Sequence, residues 1–286
     1  MNISIPGVII GIVAFICSFM AIGAVGFRFV VLCGDAAAEP AIAGRAARRA
    51  AIYGVIGYII TSLMYVAFDL SPEAQKKGIS LLSVVTSETQ TTVETICIVL
   101  GIIGFLLAVS RLGAGWFLAA IGAIGEPLAS LLSGWNRAIN PIHVLAGGLW
   151  IGTLFILLMA GFTTVLRSDL GDVRRGELAA NMVHRFSPLA LVAFALLAFT
   201  GVNTAWRHLK VLSNLWSTPY GYTLMAKLCV VLVVVALGAW NWRKQRPLLG
   251  TESAANVMRR SATAELIAAT VVLAITSVLV SLPSPK

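Results

Sequence analysis

An all-α bundle of eight transmembrane helices, with both termini outside, is the fold that this sequence predicts. Three observations lead there. Of the 286 residues, 58% are hydrophobic and only 12% charged, about half the charge fraction of a soluble domain. The apolar residues fall in continuous runs longer than about 18, which excludes a transmembrane barrel, whose strands alternate and cross in about ten residues. Basic residues gather on alternate connections, as they do when Lys and Arg are retained on the cytoplasmic side of a membrane.

The first apolar run, 7–32, has no Lys or Arg before Arg28. It therefore lacks the basic leading segment of a secretory signal and reads as an uncleaved helix. The second run, 51–69, follows Arg45, Arg48 and Arg49, and leads into the longest loop, Asp69 to Gln90, with Pro72, Glu73, Lys76, Lys77 and Glu88. That loop is placed to cap one face of the bundle. The third and fourth runs, 91–110 and 114–134, are separated only by a short connection carrying Arg111. The fifth, 140–165, opens at Asn140-Pro141, and the sixth, 186–206, follows Arg174, Arg175 and Arg185. Pro219 opens the seventh, 221–242, as proline does at a helix start, and Arg259-Arg260 precede the eighth, 263–282. The whole chain, 1–286, reads as a single integral membrane domain.

With the N-terminus outside, thirteen of the 21 Lys and Arg fall on inner connections. Six fall on outer segments: Lys76, Lys77, Arg137, Arg207, Lys210 and Lys286. The net charge of +9 thus sets topology, and the bilayer, not nucleic acid, is the expected partner. Cys17, Cys33, Cys97 and Cys229 lie in or beside apolar runs without a CxxC spacing and read as buried thiols. No Walker loop, HExxH or dinucleotide fingerprint occurs, so an enzyme is not expected.

In a bilayer the informative residues are the ionisable ones, each costing about 2.5 to 3.5 kcal/mol near the centre of a span. Glu94, Glu126, His143, Lys227 and Glu265 stand out. At about 1.5 Å per residue, His143 and Glu94 lie about 5 Å from the outer end of their spans, Lys227 about 9 Å and Glu126 about 12 Å. Glu126, beside the kinking Pro127, is a candidate cation ligand or proton carrier; the alternative is a neutral carboxyl or a partner of Lys227. His143 is a candidate metal ligand or an interfacial polar group. Trp150, seven residues on, shares its helical face, and Gly148 and Gly152 form a GxxxG pair suited to close helix packing.

His208 lies at the outer end of the sixth span, where it faces His143 if the two helices are neighbours. His184, near the inner end, is an exit-side ligand or a solvated residue. Lys227 needs a partner, with Glu126 or Glu94 the expected ones, in a gating or a purely structural pair. Glu265 is read as a structural carboxylate at the start of the last helix, favourable to its dipole and within reach of an arginine. Met20, Met64, Met159 and Met225 are scattered, without an MxxM pattern.

A set of segments runs in order through the second half: His143-Val144-Leu145-Ala146-Gly147-Gly148-Leu149-Trp150-Ile151-Gly152, then Arg185-Phe186-Ser187-Pro188 and Phe199-Thr200-Gly201-Val202. Thr218-Pro219-Tyr220-Gly221 with Leu224 and Lys227 follow, then Arg259-Arg260-Ser261 with Glu265. In these segments the sequence resembles the copper resistance protein D (CopD) family of bacterial inner-membrane proteins. In the first half the likeness is confined to the four-helix spacing and Gly26-Phe27-Arg28. The resemblance implies an eight-helix inner-membrane protein that passes copper from the periplasm towards the cytoplasm, often beside a small periplasmic copper-binding protein. One departure stands at the fourth span, where the family commonly carries Gly-His-Ala and this chain has Gly125-Glu126-Pro127, a harder ligand in place of imidazole.

The resulting expectation is copper transport through an outer-half intramembrane site of His143 and Glu126 with His208. Glu94, Trp150, Lys227 and His184 would serve the pathway or its gating. Two alternatives remain at this point. One is a haem-binding electron-transfer or respiratory accessory subunit that uses His143 and His208 as axial ligands. The other is a non-transporting structural subunit of a larger membrane complex.

Overall fold

The computed structural model describes residues 5–134 and 137–283; Lys286, counted above on the outer side, lies outside them. Eight helices are long and apolar enough to cross a membrane: α1 (Ile5–Val31), α2 (Pro40–Lys77), α3 (Thr89–Val109), α4 (Ala114–Ser133), α5 (Ile139–Leu166), α6 (Asp172–Leu209), α7 (Pro219–Gln245) and α8 (Glu252–Ser281). No strand occurs among the described residues.

α1 and α5 form the centre. They cross where Gly23 meets the backbone of Gly152, and Gly152 in turn lies against the carbonyl of Phe19. A Cβ at either position would overlap main-chain atoms, so the crossing needs hydrogen as the side chain. One residue-turn away, Gly148 accommodates the side chain of Ile22, and Gly147 the ring of Phe19. The GxxxG pair is thus a close-packing device. α5 is the most buried of the eight helices and α7 the least. Phe27, Phe105, Phe162, Ile22, Ile156 and Leu158 fill the interior, while many large apolar side chains, such as Leu63, Phe117, Leu191 and Leu232, point outward. An apolar exterior is what a lipid-facing surface requires.

α2, α3 and α4 pack on one flank of α1, and α5 to α8 on the other. Gly101 and Gly122 bring the backbones of α3 and α4 together. Tyr58, Phe105 and Trp116 stack in sequence behind them.

α2, α6 and α8 each begin about ten residues before the apolar run that marks them. Their leading turns carry charges, Arg45, Arg48 and Arg49 in α2, Asp172, Arg174 and Arg175 in α6, and Glu252, Arg259 and Arg260 in α8, so hydropathy does not register them, but their starting signals are ordinary. Pro40 stands at the first turn of α2, Asp172 in the first turn of α6, and the Thr251 hydroxyl accepts from the amide of Ala254 at the start of α8. The three starts lie at one end of the bundle and are tied together. Arg174 pairs with Glu39 at 3.1 Å, Arg175 with Glu252 at 2.5 Å, and the Glu252 amide donates to Asp172 at 3.1 Å. The same end carries Arg28, Arg45, Arg48 and Arg111 around a shallow cleft.

The stretch from Asp69 to Gln90, expected as a loop, is mostly helical. α2 passes through a π-helical turn at Val66–Leu70 and continues to Lys77. That turn shifts the hydrogen-bond register just before Pro72, which has no amide proton to contribute. Gly78, with φ of 65°, ends the helix. Ser80 then caps a short helix, Leu81–Ser87. Leu70, Ala74 and Val84 bury one another beneath this cap. Among the cysteines read as buried, Cys17 and Cys97 are so, whereas Cys33 is half-buried and Cys229 exposed.

Gly152→Leu inserts a side chain into a backbone contact, and the expected loss of stability is at least about 1–3 kcal/mol. The unfolding midpoint of the detergent-purified protein measures it. A midpoint equal to that of the parent would contradict this crossing.

Candidate functional site

Polar side chains within the bundle form three separate groups. The first joins α5, α6 and α7. Asn140 and Pro141 set the start of α5 so that His143 faces α6, where its Nδ1 lies 2.8 Å from the Thr200 hydroxyl. Thr200 itself donates to the carbonyl of Leu196 at 2.6 Å. With that proton committed, Thr200 Oγ1 is left to accept, so His143 Nδ1 carries the proton of the neutral ring and Nε2 keeps its lone pair. Gly201 lies beneath the ring, its absent side chain leaving contact distance to Cε1. Lys227 of α7 is the charge that acts on His143.

The second group lies deeper, between α5, α7 and α8. Trp150, like His143, packs on α6, its ring edge-on to Phe194 at 5.4 Å. Its indole N–H donates to Glu265. Asn241 Nδ2 donates to the same carboxylate at 3.0 Å, and Ser261 donates to the Asn241 carbonyl oxygen. Gly238 leaves room beside the carboxylate. Glu265, only 6% exposed, stands on the wall of a cavity of about 460 Å³ otherwise lined mainly by apolar residues such as Leu154, Phe186, Leu191 and Met258. Such a combination, an apolar cavity with a few convergent polar groups, is typical of ligand sites.

The third group belongs to α2, α3 and α4. Tyr65 donates to Glu94 Oε2 at 2.8 Å, and Gln90 to Oε1 at 2.7 Å. Ser133 donates to the Gln90 carbonyl oxygen. Glu126 lines a small cavity beside Tyr58, Thr61, Ser62 and Tyr65, with Glu94 the charge nearest to it.

The expected pairing of Lys227 with Glu126 or Glu94 does not form. Glu94 is held by Tyr65 of α2 and Glu126 lines a cavity with residues of α1 and α2, whereas Lys227, on α7, is the charge that acts on His143. Glu265 is also placed differently from expectation. α8 begins thirteen residues before it, about 20 Å along the axis, so Glu265 is an interior residue held by Asn241 and Trp150. Thr200 and Ser261 stand in the segments that carry the family resemblance but have no role assigned there, and Asn241 is in none of them. Ser261 has a signal in its helical spacing, four residues before Glu265, and Asn241 in being an amide beside an apolar run, whereas Thr200 is 57 residues from His143 and has none.

His208 does not join His143. Its Nδ1 lies 2.9 Å from the carbonyl of Thr204, and its ring stacks on Tyr220 at 5.7 Å. It stands eight residues beyond Thr200 on α6, a separation of about 12 Å along the axis, too far for two imidazoles on one iron. His184 accepts at Nδ1 from Arg246 Nε at 2.7 Å, which occupies the lone pair a metal would use. Among the described residues no three of His, Cys, Asp and Glu converge tightly enough to hold a metal.

Two of the three groups are built on the part of the chain that known proteins share. Residues 180–279 match the CopD family, copper resistance protein D. That CopD segment holds Thr200, Lys227, Asn241, Ser261 and Glu265, and spans α7, nearly all of α8 and most of α6. Over 144 residues the chain is also 28% identical to the copper transport protein CutJ of Bacillus subtilis (strain 168), covering 50% of this chain and 25% of that protein. The match thus spans about a quarter of the length of the relative. No solved structure matches. The CopD match and the eight apolar helices make the chain a multi-pass protein of the bacterial inner membrane.

Asn241→Leu takes a donor from a buried carboxylate, with an expected cost of about 1–3 kcal/mol. The loss should shrink in a Glu265→Gln background, where no charge is left unpaired. Unfolding midpoints of the four proteins give this coupling, and equal losses in both backgrounds would show that the two side chains act independently.

Proposed function

We propose that this protein carries copper ions across the bacterial inner membrane through α5–α8, with His143 as the ligand at entry. The observation that carries the reading is the match to copper resistance protein D over the helices that hold Thr200, Lys227 and Glu265. The likeness to a copper transport protein supports it.

The chemistry of the path is consistent with copper as the cargo. His143 offers Nε2, a ligand suited to copper in either oxidation state. Lys227 adds a positive charge nearby, which weakens the hold on a cation and favours its release, as conduction requires. Trp150 lies seven residues along α5, about 10 Å further in. There Glu265 supplies the negative charge that a cation needs where water is absent. His184 and Arg246 stand towards the basic end.

In this reading the basic end faces the cytoplasm, since Lys and Arg are retained there. Both chain termini and the His143 end then face the periplasm, and copper moves inward. A periplasmic copper-binding protein is the corresponding donor. Glu126, grouped with His143 on sequence grounds, stands on the flank of α1 away from this path and is not part of it.

Copper accumulation in proteoliposomes under an imposed copper gradient tests the proposal. Uptake is expected with the parent protein and with His208→Ala, and a loss of at least tenfold with His143→Ala, the scale of removing a metal-site partner. Uptake unchanged in His143→Ala would remove His143 from the path. No uptake above empty liposomes by folded protein would overturn transport itself.

A further inference from the structure

We propose that α1–α4 hold a second ion site, separate from the copper path, in which Glu126 and surrounding hydroxyl oxygens bind one dehydrated sodium ion. The cavity is bounded by Ser18, Ala21 and Ile22 of α1, by Tyr58, Thr61, Ser62 and Tyr65 of α2, by Ile98 of α3, and by Ala123 and Glu126 of α4. Its volume is about 10 Å³, enough for one water-sized species and no more.

The hydrogen bonds fix what this cavity offers. Ser62 donates to the Tyr58 carbonyl at 2.6 Å, and Thr61 to the Gly57 carbonyl at 2.9 Å. The Tyr58 hydroxyl donates to the Cys97 carbonyl at 3.2 Å, and that of Tyr65 to Glu94 at 2.8 Å. Each hydroxyl has one proton, and these four are committed to other acceptors, so each of the four oxygens presents lone pairs to an occupant; Ser18 adds a fifth hydroxyl oxygen from α1. Glu126 adds a carboxylate enclosed by the same helices. Among the described residues it has no hydrogen-bond or ion-pair partner, and the one charge acting on it is that of Glu94, which is itself held by Tyr65 and Gln90.

The polar side chains of the lining, Ser18, Tyr58, Thr61, Ser62, Tyr65 and Glu126, all offer oxygen and the rest is aliphatic; oxygen without nitrogen or sulfur suits a hard cation and not copper(I). A single free carboxylate matches a single positive charge. Magnesium keeps several of its waters, for which the cavity has no room, and the double charge of calcium is not matched by one carboxylate. The site is also well placed to affect transport. Ile22 reaches the cavity on one side and packs on Gly148 of α5 on the other, one residue before Gly23 meets Gly152. Sodium occupancy would therefore bear on the α1–α5 crossing.

The unfolding midpoint of the purified full chain in detergent reports binding directly, since an ion held only by the folded state stabilises it. Sodium chloride is compared with choline chloride at constant ionic strength and pH. A saturable rise with sodium is expected in the parent and in His143→Ala, which separates this result from the fate of the copper reading. The rise should be lost in Glu126→Gln. If that variant does not fold, Thr61→Val should raise the half-saturating sodium concentration by about tenfold, the scale of removing one partner from a metal site. A midpoint that follows ionic strength regardless of the cation would overturn the proposal. So would one that responds to acid but not to sodium, which would mark a proton site.

Discussion

The contact on which the rest of the bundle depends is the crossing of α1 and α5 at Gly23 and Gly152. Two helices within a bilayer gain nothing from excluding apolar side chains from lipid, which is equally apolar, so they associate by fitting closely. Removing both side chains brings the main chains together and lets Phe19, Ile22 and Leu149 interlock around the contact. α5, so placed, is buried on most of its surface, and the other helices arrange themselves about the pair. α2–α4 take one flank and α6–α8 the other. The division of polar side chains between the flanks follows from this arrangement.

The two flanks differ in donor chemistry. On the α5–α8 side an imidazole nitrogen and a carboxylate succeed one another along the axis, each held by a neutral partner: Thr200 for His143, Asn241 for Glu265. On the α2–α4 side the polar groups around Glu94 and Glu126 are hydroxyls, carboxylates and the Gln90 amide, with the Cys97 thiol beside Gly125. Neutral partners matter because an ion pair within the bilayer cancels its own charge and has little left for a passing ion. Held by neutral donors, Glu265 keeps its field. Among the described residues the four salt bridges lie in polar segments at the helix ends, which fits the same logic.

The sequence makes one coordinate legible and conceals another. Distance along each helix can be read, because apolar runs end where the membrane ends. α3 and α4 accordingly end within about two residues of the runs that announce them. α2, α6 and α8 extend further because charges interrupt their leading turns, from Arg45 in α2, Asp172 in α6 and Glu252 in α8, although Pro40, Asp172 and Thr251 mark the starts. The misplaced start of α8 made Glu265 look terminal. What cannot be read is which helices are neighbours. Lys227, His143 and Glu126 lie at similar expected depths, yet Glu126 lies with α1 and α2 while the charge of Lys227 acts on His143. Equal depth is a necessary condition for contact, and adjacency is decided by small residues such as Gly152, whose partners lie over a hundred residues away.

The arginine and carboxylate contacts that join the starts of α2, α6 and α8 have a temporal meaning. Glu39 and Arg174 are 135 residues apart, and Arg175 must wait for Glu252, which is 77 residues further along the chain. Membrane helices are inserted in order as the ribosome delivers them, so Glu39 remains unmatched until α6 arrives and Arg175 until the last helix does. Closure of this ring is then a late event of biogenesis. A chain stalled before Glu252 would carry its first seven helices with an open basic rim, a feature that distinguishes unfinished molecules from finished ones.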